Sequence, residues 1–473
     1  MTVAIIGGGI AGLSAATILG ERGVPVVVHE REQSFGGRLR AWPEVLPDGR
    51  VVSMERGFHA FFRQYYNLRA LMRRWDPDLS RLVPLLDYPI LGPAGVRMRF
   101  DRLPKRSPWN VAAVALRGSK WLGLRGLAGI DVRQALLMLA WDEAAWPRLD
   151  QLTAAEFLDG LRFPPDARRM LFDVFAHSFF NPEREMSAGE LLMMFHFYFT
   201  GNPEGLVFDV LDDAFDRAFI DPWVAHLRHL GVRLVSGQAV AAQKSERGFE
   251  VAGEHYDGLV LATDVGGLHA LAAASDLFTP ADRTRLASLA VTAPFLVVRQ
   301  WLDRPTEPTR EPFVGTAGLG RLDNISCMHL FEQESMAWAA EHRGAVIELH
   351  AYGLDTNDER GVRDELVRHL HALYPETKAA RVIHEVSLFR RDCPAFLPGS
   401  RALRPTVATE TPGLALAGDF IALPFPSALM ERAATSGILA ANARLAARGQ
   451  DGQAIRTIPT RGLLAPIRTW LGA

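Results

Sequence analysis

Three glycines, Gly7, Gly9 and Gly12, stand in the spacing G-x-G-x-x-G within "AIIGGGIAGLSAA". Glycine at those positions permits a tight strand-to-helix turn whose backbone can approach a pyrophosphate closely. Glu30 follows about 20 residues later, where a carboxylate can bind ribose hydroxyls and disfavours a 2′-phosphate. The pattern predicts a dinucleotide site, and NADP fits it poorly. "SFGGRLR" then supplies Gly36, Gly37 and Arg38, a planar fork suited to phosphate oxygens; a surface arginine in a turn would read the same way. One histidine, His59, sits in "ERGFHAFFRQYYNLRALMRR" among Phe58, Phe61, Phe62, Tyr65 and Tyr66. It can shuttle a proton near neutral pH, or serve as a buried structural histidine. Near the other end, Gly418 and Asp419 in "LALAGDF" precede "SALMERAATSGILAAN", which carries Glu431 and Arg432 as further titratable candidates. Glu431 could equally cap or pair.

The elements that must position these residues can be read from hydrophobic period. A buried strand over residues 3–6, an Ala/Leu-rich helix and a second strand over 26–29 form a βαβ unit. The aromatic stretch around His59 has helical spacing and predicts a mostly helical segment. Residues 104–199 read as helical and apolar, with "RQALLMLAWDEAAW" and "AGELLMMFHFYF" as the clearest segments; either could line an apolar cleft, and each has the pattern of ordinary core. A short strand is expected over 232–235, then two alternating strands and a buried strand over 258–262. Residues 266–385 mix helices with strands such as "APFLVVRQWL" and "GAVIELHAY", and a last strand, "GLALAGD", leads into a long helix over 427–448.

Bulk composition narrows the function classes. A chain of 473 residues can bury a large cofactor in more than one domain. With 52 basic and 54 acidic residues, its formal charge of -2 advertises no partner among nucleic acids. Lys105, Lys120, Lys244 and Lys378 are its four lysines, which argues against lysine-based chemistry. Cys327 and Cys393 form no C-x-x-C, so no metal site and no dithiol centre is expected. A reducing, cytoplasmic setting is the simple reading, and no apolar run is long enough for a spanning helix. The tail from Ile455 to Trp470 alternates arginines with apolar residues, a pattern that suits peripheral contact with a membrane or packing on its own domain.

Together, G-x-G-x-x-G with Glu30, the G-G-R segment, Glu55-x-Gly57 and the terminal G-D before a small-residue helix resemble the flavoprotein amine oxidase and phytoene desaturase superfamily. "ERGFHAFFRQYYNLRALMRR", "DCPAFLPG", "PSALMERAATSG" and "IPTRGLLA" resemble, within it, the isorenieratene synthase type of carotene desaturase, over most of the chain. That family desaturates an ionone ring to an aromatic ring with a methyl shift. The resemblance implies FAD as cofactor, with Gly7, Gly9, Gly12, Glu30, Arg31, Gly37, Arg38, Gly57, Phe58, His59, Val240, Gly418, Asp419, Leu429 and Met430 in its site. It implies an α/β fold: a discontinuous Rossmann-type FAD-binding domain (residues 1–100, 215–265 and 385–450), a helical insert (101–214), an inserted mixed α+β substrate domain (266–384) and a tail (451–473). His59 and Glu431 are the catalytic candidates, and an apolar small-molecule substrate is implied. Cys393 is read as an inert thiol rather than a flavin attachment point. Two other readings stay open: oxidation of a smaller apolar, aromatic or amine metabolite, and a non-catalytic lipid escort. The electron acceptor is left unassigned.

Overall fold

The structure is a computed structural model that describes residues 1–92, 95, 97–99, 104–110, 112–113, 129–168, 179–467 and 470. The expected helical insert therefore falls partly outside the described residues.

The first strand, Val3–Ile6, sits at the centre of a five-stranded parallel sheet in the order Arg233–Val235, Val26–His29, Val3–Ile6, Gly258–Leu261, Leu414–Leu416. Its side chains alternate between two cores, as strand geometry requires. Val3 and Ile5 face one hydrophobic cluster with the helix Ile10–Gly20, while Ala4 and Ile6 face a second with Phe249 and Tyr256. A parallel sheet needs cover on both faces. One face receives Ile10–Gly20, all eleven residues of which are buried, and the long helix Leu429–Ala446. The other receives an antiparallel meander, Ala242–Ser245, Gly248–Val251 and Glu254–Tyr256. The two helices meet at a point where a Cβ on Gly437 would lie 2.1 Å from the Ala11 carbonyl oxygen, so only glycine allows the approach.

A second, seven-stranded sheet runs in the order Val382–Arg390, Phe295–Leu302, Ala345–Ala351, Asn324–Cys327, Phe313–Thr316, Pro89–Leu91, Arg97–Arg99. Its pairs are antiparallel except the one between Phe313–Thr316 and Pro89–Leu91. Two of its strands come from before residue 100, and Val382–Arg390 straddles residue 385. The second sheet thus draws on segments that the sequence reading grouped with the first.

Local expectations are corrected in three places. The aromatic stretch is helical only over Tyr66–Met72; Phe61–Phe62 is instead a strand paired to Phe208 and Asp209. Gly57, at φ +102°, explains the change: a Cβ there would lie 2.7 Å from His350 and 3.0 Å from Val297, so the chain passes flat against the second sheet. The region after 240 forms three short strands before Gly258–Leu261 rather than two. The last helix begins at Leu429 rather than 427, after an extended Ala428.

Candidate active site

The carboxyl ends of the parallel strands open into a cavity of about 870 Å³ that continues across to the second sheet. Ligands bind in such crevices at the ends of parallel strands. At the first end, Gly7 takes φ +109°, and a Cβ on it would lie 2.4 Å from the Ala262 carbonyl oxygen. The G-G-R segment folds directly onto this turn. The Gly36 N–H donates to the Gly8 carbonyl at 2.8 Å, and a Cβ on Gly37 would lie only 3.0 Å from the Gly9 Cα. Two glycine motifs separated in sequence thus make one backbone-lined cradle. Glu30 lines it, its carboxylate accepting from the Gly8 N–H at 2.7 Å and the Glu32 N–H at 2.9 Å. Arg31, Val240, Leu429 and Met430 also line the cavity.

The two ends of the chain meet here. Arg38 pairs with Asp419 at 2.7 Å, and that charge, opposing the cost of burial, keeps the guanidinium protonated. Gly418 lies beside them, its N–H donating to Ser436 Oγ at 2.9 Å. Leu429 has a left-handed backbone, φ +47°, at the start of the final helix; strain of that kind is retained where surrounding structure enforces it, often at functional sites. Arg56, which sequence reasoning passed over, also lines the cavity and holds Asp392 through one nitrogen at 2.7 and 2.6 Å.

Three expected site residues lie behind the cavity rather than in its wall. A Cβ on Gly12 would come within 1.9 Å of the Gly7 carbonyl oxygen, so Gly12 serves helix–strand approach. Gly57 shapes the chain beneath His59. Glu431 is buried away from the cavity and accepts from the Asn67 N–H at 2.8 Å, Asn67 Nδ2 at 2.7 Å and the Leu68 N–H at 3.0 Å. It caps the helix Tyr66–Met72, so its expected place among the catalytic groups is not where the fold puts it. Arg432 is likewise taken up by a buried pair with Glu190.

His59 stands in the wall between the main cavity and a small one of about 10 Å³ shared with Glu55 and Glu332, room for about one water. Its Nδ1 lies 2.7 Å from the Gly57 carbonyl oxygen, so Nδ1 carries the hydrogen and Nε2 is left as the basic nitrogen. Burial, only partly opposed by that hydrogen bond, lowers its pKa to about 4. In Glu332, burial outweighs the attraction of Arg299 and the Ser335 hydrogen bond and raises the pKa to about 7.

The far end is aromatic. Phe58 stacks on Phe313 at 4.6 Å, and Phe62, Tyr65, Tyr198 and Phe208 continue the wall. Phe61, Leu68 and Met72 are core instead. The stretch around His59 therefore does build part of a cavity wall, through Phe58, Phe62 and Tyr65. Of the two apolar helical segments considered as cleft walls, only Tyr198 reaches the cavity. Cys393 also lines it, with burial pushing its thiol up to about 11, so it remains protonated and unreactive.

On the second sheet lies a buried polar chain that sequence reasoning missed. Tyr352 Oη is 2.7 Å from His350 Nδ1, and His350 Nε2 is 2.6 Å from Glu348 Oε1. Glu348 also accepts from the Phe58 N–H at 2.6 Å and Arg299 Nε at 2.8 Å. The signal was present in "IELHAY": three polar-tipped residues at spacing two fall on one face of an otherwise apolar strand. Among the described residues, no group of three or more His, Cys, Asp and Glu side chains is placed to hold a metal ion.

Residues 10–444 match the family model of flavin containing amine oxidoreductases. The chain is 46% identical over 476 residues to a carotenoid phi-ring synthase of Streptomyces griseus, covering 98% of this chain and 92% of that protein. It is 26% identical to a carotenoid phi-ring synthase of Chlorobaculum tepidum, over 98% and 91% of the two chains. The solved structure of cyclohexylamine oxidase from Brevibacterium oxydans superposes with a TM-score of 0.66 over 95% of this chain and 99% of that one, at 16% identity, which speaks to the fold alone.

Proposed function

Because the chain belongs to the family of flavin containing amine oxidoreductases, we propose that it is an FAD-dependent oxidoreductase that desaturates the ring of a carotenoid-type substrate. The observation that carries this reading is one continuous cavity with a glycine-lined end and an aromatic-walled end, in a chain 46% identical to a carotenoid phi-ring synthase.

The residues fit the cofactor. The glycine cradle presents bare backbone at Gly7, Gly9 and Gly37, where a Cβ on Gly7 or Gly37 would collide with neighbouring backbone, and the Arg38 guanidinium and Glu30 carboxylate line the same cavity. Gly7, Gly9, Gly37 and Arg38 would hold the diphosphate, Glu30 a ribose, and Val240 the adenine side. Gly418, Asp419 and the first residues of the final helix, Leu429 and Met430, would hold the flavin half, where unpaired helix N–H groups favour negative charge. FAD, when bound, supplies a two-electron acceptor for the hydride that leaves the substrate.

The chain's own work is positioning and proton handling. The rings of Phe58, Phe62, Phe208 and Phe313 exclude water from an electron-poor ring. Asp392 neutralises Arg56, so the wall does not oppose positive charge on the substrate. His59, neutral with Nε2 unprotonated, accepts a proton, and Glu332 across the small cavity is the group able to relay it. Peripheral membrane contact through the tail is part of this reading: Leu463, Ile467 and Trp470 are exposed large apolar side chains, which suits a substrate drawn from lipid. Among the described residues, no helix is long and apolar enough to cross a membrane.

The test is direct. The purified protein should show flavin absorption bands; anaerobic mixing with a cyclic carotene should bleach them, and turnover with an electron acceptor that reoxidises the flavin should yield an aromatic end group. Bleaching by amines and not by carotenes would overturn the proposal, and a colourless protein would favour an escort.

A further inference from the structure

We propose that Tyr352 is a catalytic proton acceptor for the substrate ring, and that His350 and Glu348 are positioning residues that draw the proton away from it. The inference rests on the ring-desaturation reading above. Aromatising a cyclohexene ring removes two hydrides and two protons, so the site needs acceptors for protons as well as for electrons. His59 supplies one, on the segment that packs against the second sheet. Tyr352 supplies another, at the end of the strand Ala345–Ala351 of that sheet, where it also lines the cavity.

Direction in this chain is fixed by its partners. Asn324 Nδ2 donates to the Tyr352 oxygen at 3.2 Å, so the phenol's own hydrogen is free to donate to His350 Nδ1 at 2.7 Å. His350 then carries its hydrogen on Nε2 and donates it to Glu348 at 2.6 Å. Burial would raise the Glu348 pKa, but the charges of Arg299 and His350 and their hydrogen bonds hold it at about 2, so it is the acceptor at the end. Residues two apart on one strand face share a direction, which is why Glu348, His350 and Tyr352 fall in line. The Tyr352 ring is held edge-on to Phe180 at 4.6 Å, which orients the hydroxyl without a further polar contact.

Atoms and electrons balance in this step. A C–H bond of the electron-poor ring breaks and its electron pair becomes the new ring C=C bond. The proton goes to the Tyr352 oxygen as the phenol's hydrogen passes to His350 Nδ1. The resulting imidazolium is paired with the Glu348 carboxylate. A neutral phenol alone is a weak base, and coupling to an imidazole–carboxylate pair is what lets it act.

Tyr352→Phe keeps the ring packing and removes only the hydroxyl. We expect kcat to fall at least about 100-fold, with KM and bound flavin within about twofold of wild type. The solvent deuterium isotope effect on kcat should drop towards unity, because the exchangeable hydrogens of the relay no longer move. His350→Gln should lower kcat at least about tenfold with KM unchanged. Without substrate, the ¹⁵N-histidine spectrum should show His350 protonated on Nε2, and Tyr352→Phe should move its Nδ1 signal to lower field. Unchanged kcat and isotope effect in Tyr352→Phe, beside a wild type that makes aromatic product, would overturn the relay alone; so would a wild-type His350 protonated on Nδ1. A folded, flavin-loaded wild type that makes no aromatic product would overturn the functional reading and the relay with it.

Discussion

His59 has its chemistry set by one hydrogen bond and by burial, which act in opposite senses on its pKa. Gly57 fixes which nitrogen is basic, and burial keeps the ring neutral, with a pKa of about 4. Turnover should therefore show no ionisation of His59 between about pH 6 and 8, unlike a free imidazole. The stability sign follows from the same shift. The folded-state pKa lies below the unfolded value of 6.5, so the unfolded chain takes up the proton first as pH falls. His59 therefore costs stability progressively from about pH 6.5 down to about 4. His59→Ala should reduce that loss in melting experiments across this window. It should also slow turnover at least about 100-fold while flavin is retained. Full turnover with unaltered flavin binding in this variant would remove His59 from the mechanism.

At the scale of elements, the final helix works on two sides at once. Leu429 and Met430 face the cavity, and Glu431, the next residue, turns back to cap the helix Tyr66–Met72 through Asn67 and Leu68. Glu431→Gln sets an amide nitrogen against backbone donors, and we expect a loss of about 1–3 kcal/mol in unfolding free energy, with kcat per bound flavin unchanged. A fall in kcat with stability intact would return Glu431 to the catalytic set. This pairing also marks what the sequence could show. Gly7, Gly9 and Gly37 were legible because a backbone constraint is local to a few residues. The direction of Glu431 was not, because it depends on a partner 364 positions away. The same holds for the aromatic stretch, whose helical spacing was overridden at Phe58 by hydrogen bonding of its N–H to Glu348. The polar face of "IELHAY" lay between these cases: its period of two was visible, but its partners, Asn324 and Arg299, come from neighbouring strands.

At the scale of the whole molecule, the apolar side chains of the tail are presented together with Arg133, whose guanidinium donates to the Trp470 carbonyl oxygen at 3.4 Å. Replacing Leu463 and Trp470 together by serine should weaken co-sedimentation with anionic vesicles about tenfold or more, since each buried apolar side chain contributes about 1.5–3 kcal/mol. Flavin content should not change; equal sedimentation of wild type and variant would dismiss membrane contact through the tail. The first sheet has a consequence of another kind, for how the chain is made. Ile10–Gly20 is buried on every side, yet the helix that packs on it spans Leu429–Ala446, and the edge strand of its sheet, Leu414–Leu416, comes only a little before. On the ribosome, its apolar surface must wait, uncovered, until residues 414–446 have been synthesised. Contacts this distant in sequence slow folding and prolong exposure to aggregation. The glycine cradle is thus begun around Gly7 and closed around Gly418 and Leu429, so its assembly must wait for the long stretch between them to be translated.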